Sequence, residues 1–183
     1  CNFNCHGFGQ VRDKSKWLKP EEMPYNTQDL SHVKHVKDLP VVEIGCDASA
    51  SWSARYKHLI DWKGVDEISQ EIIDFVPGKK WVTDSGQDVH FIITGGEPML
   101  WQRETQHLLR QPAFKDLKNL TIETNCTQHF KSGFDKFLHG LVNGDYTKHP
   151  VHVTWSTSPK LSISGEEWNK AIIPDVAKQY ADI

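Results

Sequence analysis

No apolar run in the sequence approaches the roughly 20 residues that cross a membrane as a helix, so no membrane association is expected. Nor is there an excess of basic residues. Lys and Arg number 21 against 24 Asp and Glu, a net charge of −3, which leaves no electrostatic footprint for nucleic acid. No internal repeat or low-complexity segment is present. Cysteine is scarce: Cys1, Cys5, Cys46 and Cys126 are all there are. A chain of 183 residues can build its own core without a disulfide framework. Reduced, metal-binding thiols in a cytoplasmic protein are the expectation instead.

What is present is ordinary for one globular domain, with 38 % hydrophobic and 25 % charged residues. The chain starts on Cys1 and stops on Ile183 within a helical-looking stretch, and we expect a single-domain fragment with material missing at both ends. Residues 9–40 are polar and irregular, and Pro20, Pro24 and Pro40 oppose a long helix there. The run "VVEI" (41–44) is expected to be a short strand leading into Gly45 and Cys46.

Beyond it, apolar periodicity alternates. Val65, Ile68, Ile72, Ile73 and Val76 recur at helical spacing, closed by Pro77-Gly78. "VHFII" (89–93), the segment 119–124 and "VHVTW" (151–155) suit buried strands. Residues 100–111 and 130–141 suit helices, and 166–181 a last helix interrupted at Pro174. Strand alternating with helix predicts an α/β fold with a parallel sheet and crossover helices.

Each of the three strands ends in residues unsuited to a core. They are Thr94-Gly95-Gly96-Glu97-Pro98, then Glu123-Thr124-Asn125, then Ser156-Thr157-Ser158-Pro159-Lys160. In parallel α/β folds ligands sit at the carboxyl ends of the strands. Gly95 and Gly96 let backbone approach a ligand closely, and the Glu97 carboxylate can accept hydrogen bonds from an amine. Ser158 and Lys160 suit a carboxylate or a sugar hydroxyl. Taken singly, each cluster is accounted for by a turn, a helix cap or a solvated loop. Three in succession point to one polar mouth.

Cys1 and Cys5 are separated by three residues, a spacing that suggests metal binding, but two thiols hold neither a cluster nor a structural zinc alone. The third candidate, Cys46, follows after the intervening segment 6–45, in "GCDASASW". Three thiolates on an iron–sulfur cluster leave one iron open to a further ligand. A zinc site of the three cysteines with His6 or another histidine is the rival, and a small buried hydrophobe is the plain alternative for Cys46.

These features together resemble the radical S-adenosylmethionine superfamily, which usually carries its thiols as C-x3-C-x2-C and has a GGEP-like turn. The nearest likeness is to the 7-carboxy-7-deazaguanine synthase family of queuosine biosynthesis, through "CDASASW", "ITGGEP" (93–98), "ETN" (123–125) and "SPKLSISG" (158–165). "CNFNCHGFG" is similar to virus-encoded members. The resemblance implies a partial (β/α)6 TIM-like barrel lacking its first and last strands, with 6–45 as an insertion in the cluster loop. It implies a 4Fe-4S cluster on Cys1, Cys5 and Cys46, and S-adenosyl-L-methionine held by Thr94, Gly95, Gly96, Glu97, Glu123, Ser158 and Lys160. Asn125 is implied on the substrate side. The implied reaction turns 6-carboxy-5,6,7,8-tetrahydropterin into 7-carboxy-7-deazaguanine with loss of ammonia, using an electron donor such as flavodoxin or ferredoxin, in a homodimer. The family's magnesium ion takes a hydroxyl at the position of Ala48, so magnesium would need Ser49, Ser51 or Asp47 here. Cys126 stands where glycine is common and is expected to be a small buried thiol. An activase that makes a glycyl radical on a partner protein, and a zinc-stabilised binding module, are the alternatives.

Overall fold

The computed structural model describes residues 1–183. The first part of the chain is turns and short 3-10 helices, with one short helix, α1 (Pro24–Thr27). Then follow α2 (Val65–Phe75), β1 (His90–Ile93), α3 (Gln102–Leu109), β2 (Asn119–Thr124), α4 (Phe134–Asn143), β3 (His152–Thr157), α5 (Trp168–Ala171) and α6 (Pro174–Ala181). The strands form one parallel sheet in the order β1-β2-β3, with Ile92 level with Thr121 and Thr121 level with Thr154. The α/β class and the parallel sheet are therefore as expected. The sheet has three strands and is not closed. No helix is long and apolar enough to cross a membrane.

Local sequence explains where each element stops. Asp66 and Glu67 sit in the first turn of α2, where the helix dipole favours them, and Pro77 follows its end. Helix α4 begins at Phe134, four residues later than the periodicity suggests, because Gly133 adopts φ 86° and starts a new turn. At its other end Gly144, with φ 82°, lets the Asp145 N–H reach the Gly140 carbonyl at 2.8 Å. Pro174 divides the last helical stretch into α5 and α6.

The run 41–44 is a correction: it forms no strand. No neighbouring strand pairs with it, and Val41 is 88 % exposed. Alternating apolar residues make a strand only where a partner completes the backbone hydrogen bonds. The segment is instead held at Gly45, whose N–H donates to the Phe8 carbonyl at 2.8 Å. The insertion 6–45 likewise is not bare loop. Met23, Tyr25, Leu30 and Val33 pack with Tyr56 into a small core of their own.

The main core lies on one face of the sheet. Leu120 and Ile122 of β2 meet Phe137, Leu138 and Leu141 of α4, together with Phe114, Leu117, Met99 and Leu109. Each such side chain contributes about 1.5–3 kcal/mol on burial, so this cluster dominates the stability over the five-residue core of the insertion. The opposite face carries His90, Ile92, Glu123, His152, Thr154 and Ser156, all exposed. A parallel sheet is normally covered on both faces. Here helices cover only one.

Candidate functional site

Glu97 is the centre of the strand-end cluster. The tight Gly95-Gly96 turn after β1, with Gly95 at φ 127°, brings it back under β2. Its carboxylate is 2 % exposed and holds three donors. Oε1 accepts from the Thr124 hydroxyl at 2.6 Å and the Met99 N–H at 3.0 Å, and Oε2 accepts from the Asn125 N–H at 2.8 Å. The buried charge is thus compensated by hydrogen bonds, as burial of a carboxylate requires. Oε2, with a single donor, keeps acceptor capacity for an amine.

Asn125 faces the N-terminal loop. Its Nδ2 donates to Asn2 Oδ1 at 2.8 Å, Thr127 Oγ1 donates to Asn125 Oδ1 at 2.6 Å, and Asn2 Nδ2 donates to Thr127 Oγ1 at 2.9 Å. This closed ring of bonds fastens the stretch between Cys1 and Cys5 to the end of β2. Asn125 therefore holds the cysteine loop.

The three cysteines lie in one cluster. Cys5 and Cys46 share a small buried cluster with Phe3 and Ala171, against which Cys1, Ala48 and Trp52 pack. Cys46 is brought there by the turn at Gly45, whose φ of 90° only glycine adopts readily. Trp52 Nε1–H points at Cys46 Sγ, at 3.5 Å. Cys1 lies against Gly96: a Cβ at that glycine would sit 3.0 Å from both the Cys1 nitrogen and its Cβ, and 2.8 Å from Ser51 Oγ. The glycine turn and Cys1 are thus in direct contact. Burial, partly offset by the Lys160 charge, pushes the Cys5 thiol up to about 11, with Cys46 and Glu166 adding to the rise.

No three His, Cys, Asp or Glu side chains converge on the position of a single ion. A cluster with several irons needs something different, because each thiolate binds its own iron and the three share a shell rather than a point. Three cysteines in one packed cluster, the first of them beside a glycine lacking a Cβ, are the kind of donor set such a cluster uses.

The third strand end also reaches the loop. The Ser158 N–H donates to the Thr124 carbonyl at 2.8 Å, tying the end of β3 to β2. Lys160 is half-buried and lies 5.9 Å from the Phe8 ring. The Gly7 N–H donates to the Ser164 carbonyl at 3.0 Å, and a Cβ at Gly7 would meet the Ile163 carbonyl at 2.3 Å. The segment 158–165 therefore straps down the cysteine loop.

Thr94 and Glu123 stand apart from this cluster. Thr94 borders a cavity of about 510 Å³ between β1, α2 and α3. Glu123 is exposed on the bare face of the sheet, because alternation along β2 sends Thr124 inward and Glu123 outward. Cys126, at φ 61°, belongs to the main core rather than to the thiol cluster, in keeping with a small buried thiol. Of the residues considered for magnesium, Asp47 and Ser51 are exposed, and Ser49 is buried with its hydroxyl unpartnered.

Sequence reasoning missed Glu166, Trp52, Asn2, Thr127 and Tyr25. Glu166 Oε1 accepts from the N–H groups of both Asn4 and Cys5, each at 3.1 Å. No local pattern marks it, since its partners lie more than 160 positions away. Thr124 was within reach: in a strand with Leu120 and Ile122 facing the core, alternation places Thr124 on the same side. No family model, curated protein or solved structure matches the chain.

Proposed function

We propose that the protein is a radical S-adenosylmethionine enzyme that converts 6-carboxy-5,6,7,8-tetrahydropterin to 7-carboxy-7-deazaguanine with loss of ammonia, in queuosine or related deazapurine synthesis. One observation carries the reading. Cys46, 41 positions beyond Cys5, shares one cluster with Cys5 and Cys1, and Cys1 lies against Gly96. A thiol cluster serving only to stabilise the fold has no need of a glycine turn and a buried carboxylate at parallel strand ends.

In this reading Cys1, Cys5 and Cys46 would hold a 4Fe-4S cluster. The chemistry supplied when cluster and cosubstrate are bound is hydrogen abstraction from the pterin. The chain's own groups bind and orient. Gly95 and Gly96 present bare backbone, Oε2 of Glu97 accepts from the cosubstrate amine, and Lys160 and Ser158 meet its carboxylate or ribose. The aliphatic and aromatic wall of Phe3, Ala171 and Trp52 keeps water from the thiols. The bare face with Glu123, Thr154 and Ser156 is the inner wall of a partial (β/α)6 barrel, where the pterin lies. The electron comes from a flavodoxin or ferredoxin, and the working form is a homodimer.

The test is anaerobic loading with iron and sulfide, then incubation with S-adenosylmethionine, a low-potential reductant and the carboxy-tetrahydropterin. Mass spectrometry should find the deazaguanine product. A loaded protein that releases 5′-deoxyadenosine without that product would overturn the substrate, and one that binds only zinc would overturn the enzyme class.

A further inference from the structure

The insertion 6–45 delivers one polar group that the protein itself leaves unsatisfied. Tyr25 is 2 % exposed, and its hydroxyl has no hydrogen-bond partner. It lies beside Gly45, the residue before Cys46: a Cβ there would be 3.5 Å from the hydroxyl oxygen and 2.8 Å from the ring. The ring meets Trp52 edge-on at 5.5 Å. Trp52 in turn points its indole N–H at Cys46 Sγ. Two aromatic donors, one from each side of Cys46 in the sequence, therefore stand near Cys46: Trp52 spends its N–H on the sulfur, while the Tyr25 hydroxyl, beside Gly45, is free.

An unpaired hydroxyl in so buried a place is destabilising, and a Phe would fill the same space without that cost. A phenol carries its proton at neutral pH and so acts as a donor.

We infer that the Tyr25 hydroxyl donates a hydrogen bond to sulfur at the Cys46 corner of the bound cluster, and that the insertion thereby sets the cluster's reduction potential. Hydrogen bonds to cluster sulfur favour the reduced, more negative state. Tyr25 is thus a positioning and tuning residue, with no part in ligation. The inference rests on the cluster assignment of the preceding section.

Tyr25→Phe separates the two. The variant and the wild-type chain are loaded anaerobically and poised at one fixed potential near the wild-type midpoint, and the reduced fraction is read by electron paramagnetic resonance. Iron uptake should be unchanged, and the reduced-to-oxidised ratio should fall about tenfold, which for a one-electron couple is a shift of about 59 mV. Without metal, the same variant should melt about 2–4 °C higher than wild type, because a buried unpaired group is gone.

An unchanged ratio with normal iron uptake overturns the tuning role and leaves the functional reading standing. A lower melting temperature in the metal-free variant shows that the hydroxyl has a partner within the protein, which also overturns the role. Loss of iron from the variant alone would assign Tyr25 to binding and overturn it as well. If wild type takes up no iron, the functional reading and this inference fall together.

Discussion

The Glu97 carboxylate accepts the Asn125 backbone N–H at 2.8 Å, joining the glycine turn after β1 to the end of β2. Through the Asn125 side chain the same link runs on to Asn2, between Cys1 and Cys5. A carboxylate that the sequence offers as a ligand for an amine is therefore also the clasp that fixes the cysteine loop to the sheet.

Glu97→Gln tests that double role. Its side-chain amide must turn an NH2 group toward one set of donors, either Asn125 N–H or the Thr124 and Met99 pair. At least one buried donor then loses its acceptor, which costs about 1–3 kcal/mol. Urea unfolding of the metal-free variant should show a midpoint lowered accordingly at unchanged slope. An unchanged midpoint would mean that the clasp contributes nothing to the fold.

Glu166→Ala should loosen the loop from the opposite side. The Asn4 and Cys5 N–H groups lose their common acceptor, and Cys5 loses a negative charge that helps keep its thiol protonated. Both changes raise thiolate at Cys5. Alkylation of metal-free protein by iodoacetamide, followed by peptide mapping, should label Cys5 several-fold faster than in wild type, with Cys126 unaffected. Equal Cys5 rates would contradict the strap.

The buried Cys5 thiol also predicts an alkaline limb of stability. Its acidity in the fold is pushed from 9.0 to about 11, chiefly by burial. Between those values the unfolded chain gives up this proton while the folded chain keeps it, so the unfolded state binds fewer protons and stability falls as pH rises. The contribution is complete below pH 9 and is lost toward pH 11. Cys5→Ala should flatten that slope in denaturant titrations of metal-free protein. An identical slope would show that Cys5 is not buried in this way.

The main fold was legible because its signals are local. Leu120 and Ile122, or Phe134, Phe137, Leu138 and Leu141, state their element and their buried face by spacing alone. The run 41–44 has the composition of a strand but no partner, and pairing is not written in local sequence. The cluster at the strand ends was legible in kind but not in role. Glu97 and Asn125 are together as their motifs suggest, yet Asn125 is spent on Asn2 and Thr127. Glu166 and Tyr25 act through contacts across long loops, and only folding reveals such neighbours. The insertion looked like a polar connection because its buried residues, Met23, Tyr25, Leu30 and Val33, follow no helical or strand period.

The central claim is that Cys1, Cys5 and Cys46 bind one iron–sulfur cluster while Cys126 does not. The direct measurement is iron and sulfide content after anaerobic loading of wild type, Cys46→Ala and Cys126→Ala, side by side. The account predicts about four irons per chain in wild type and in Cys126→Ala, as a 4Fe-4S cluster contains, and next to none in Cys46→Ala. Equal iron in the two variants, whether retained or lost, would contradict it.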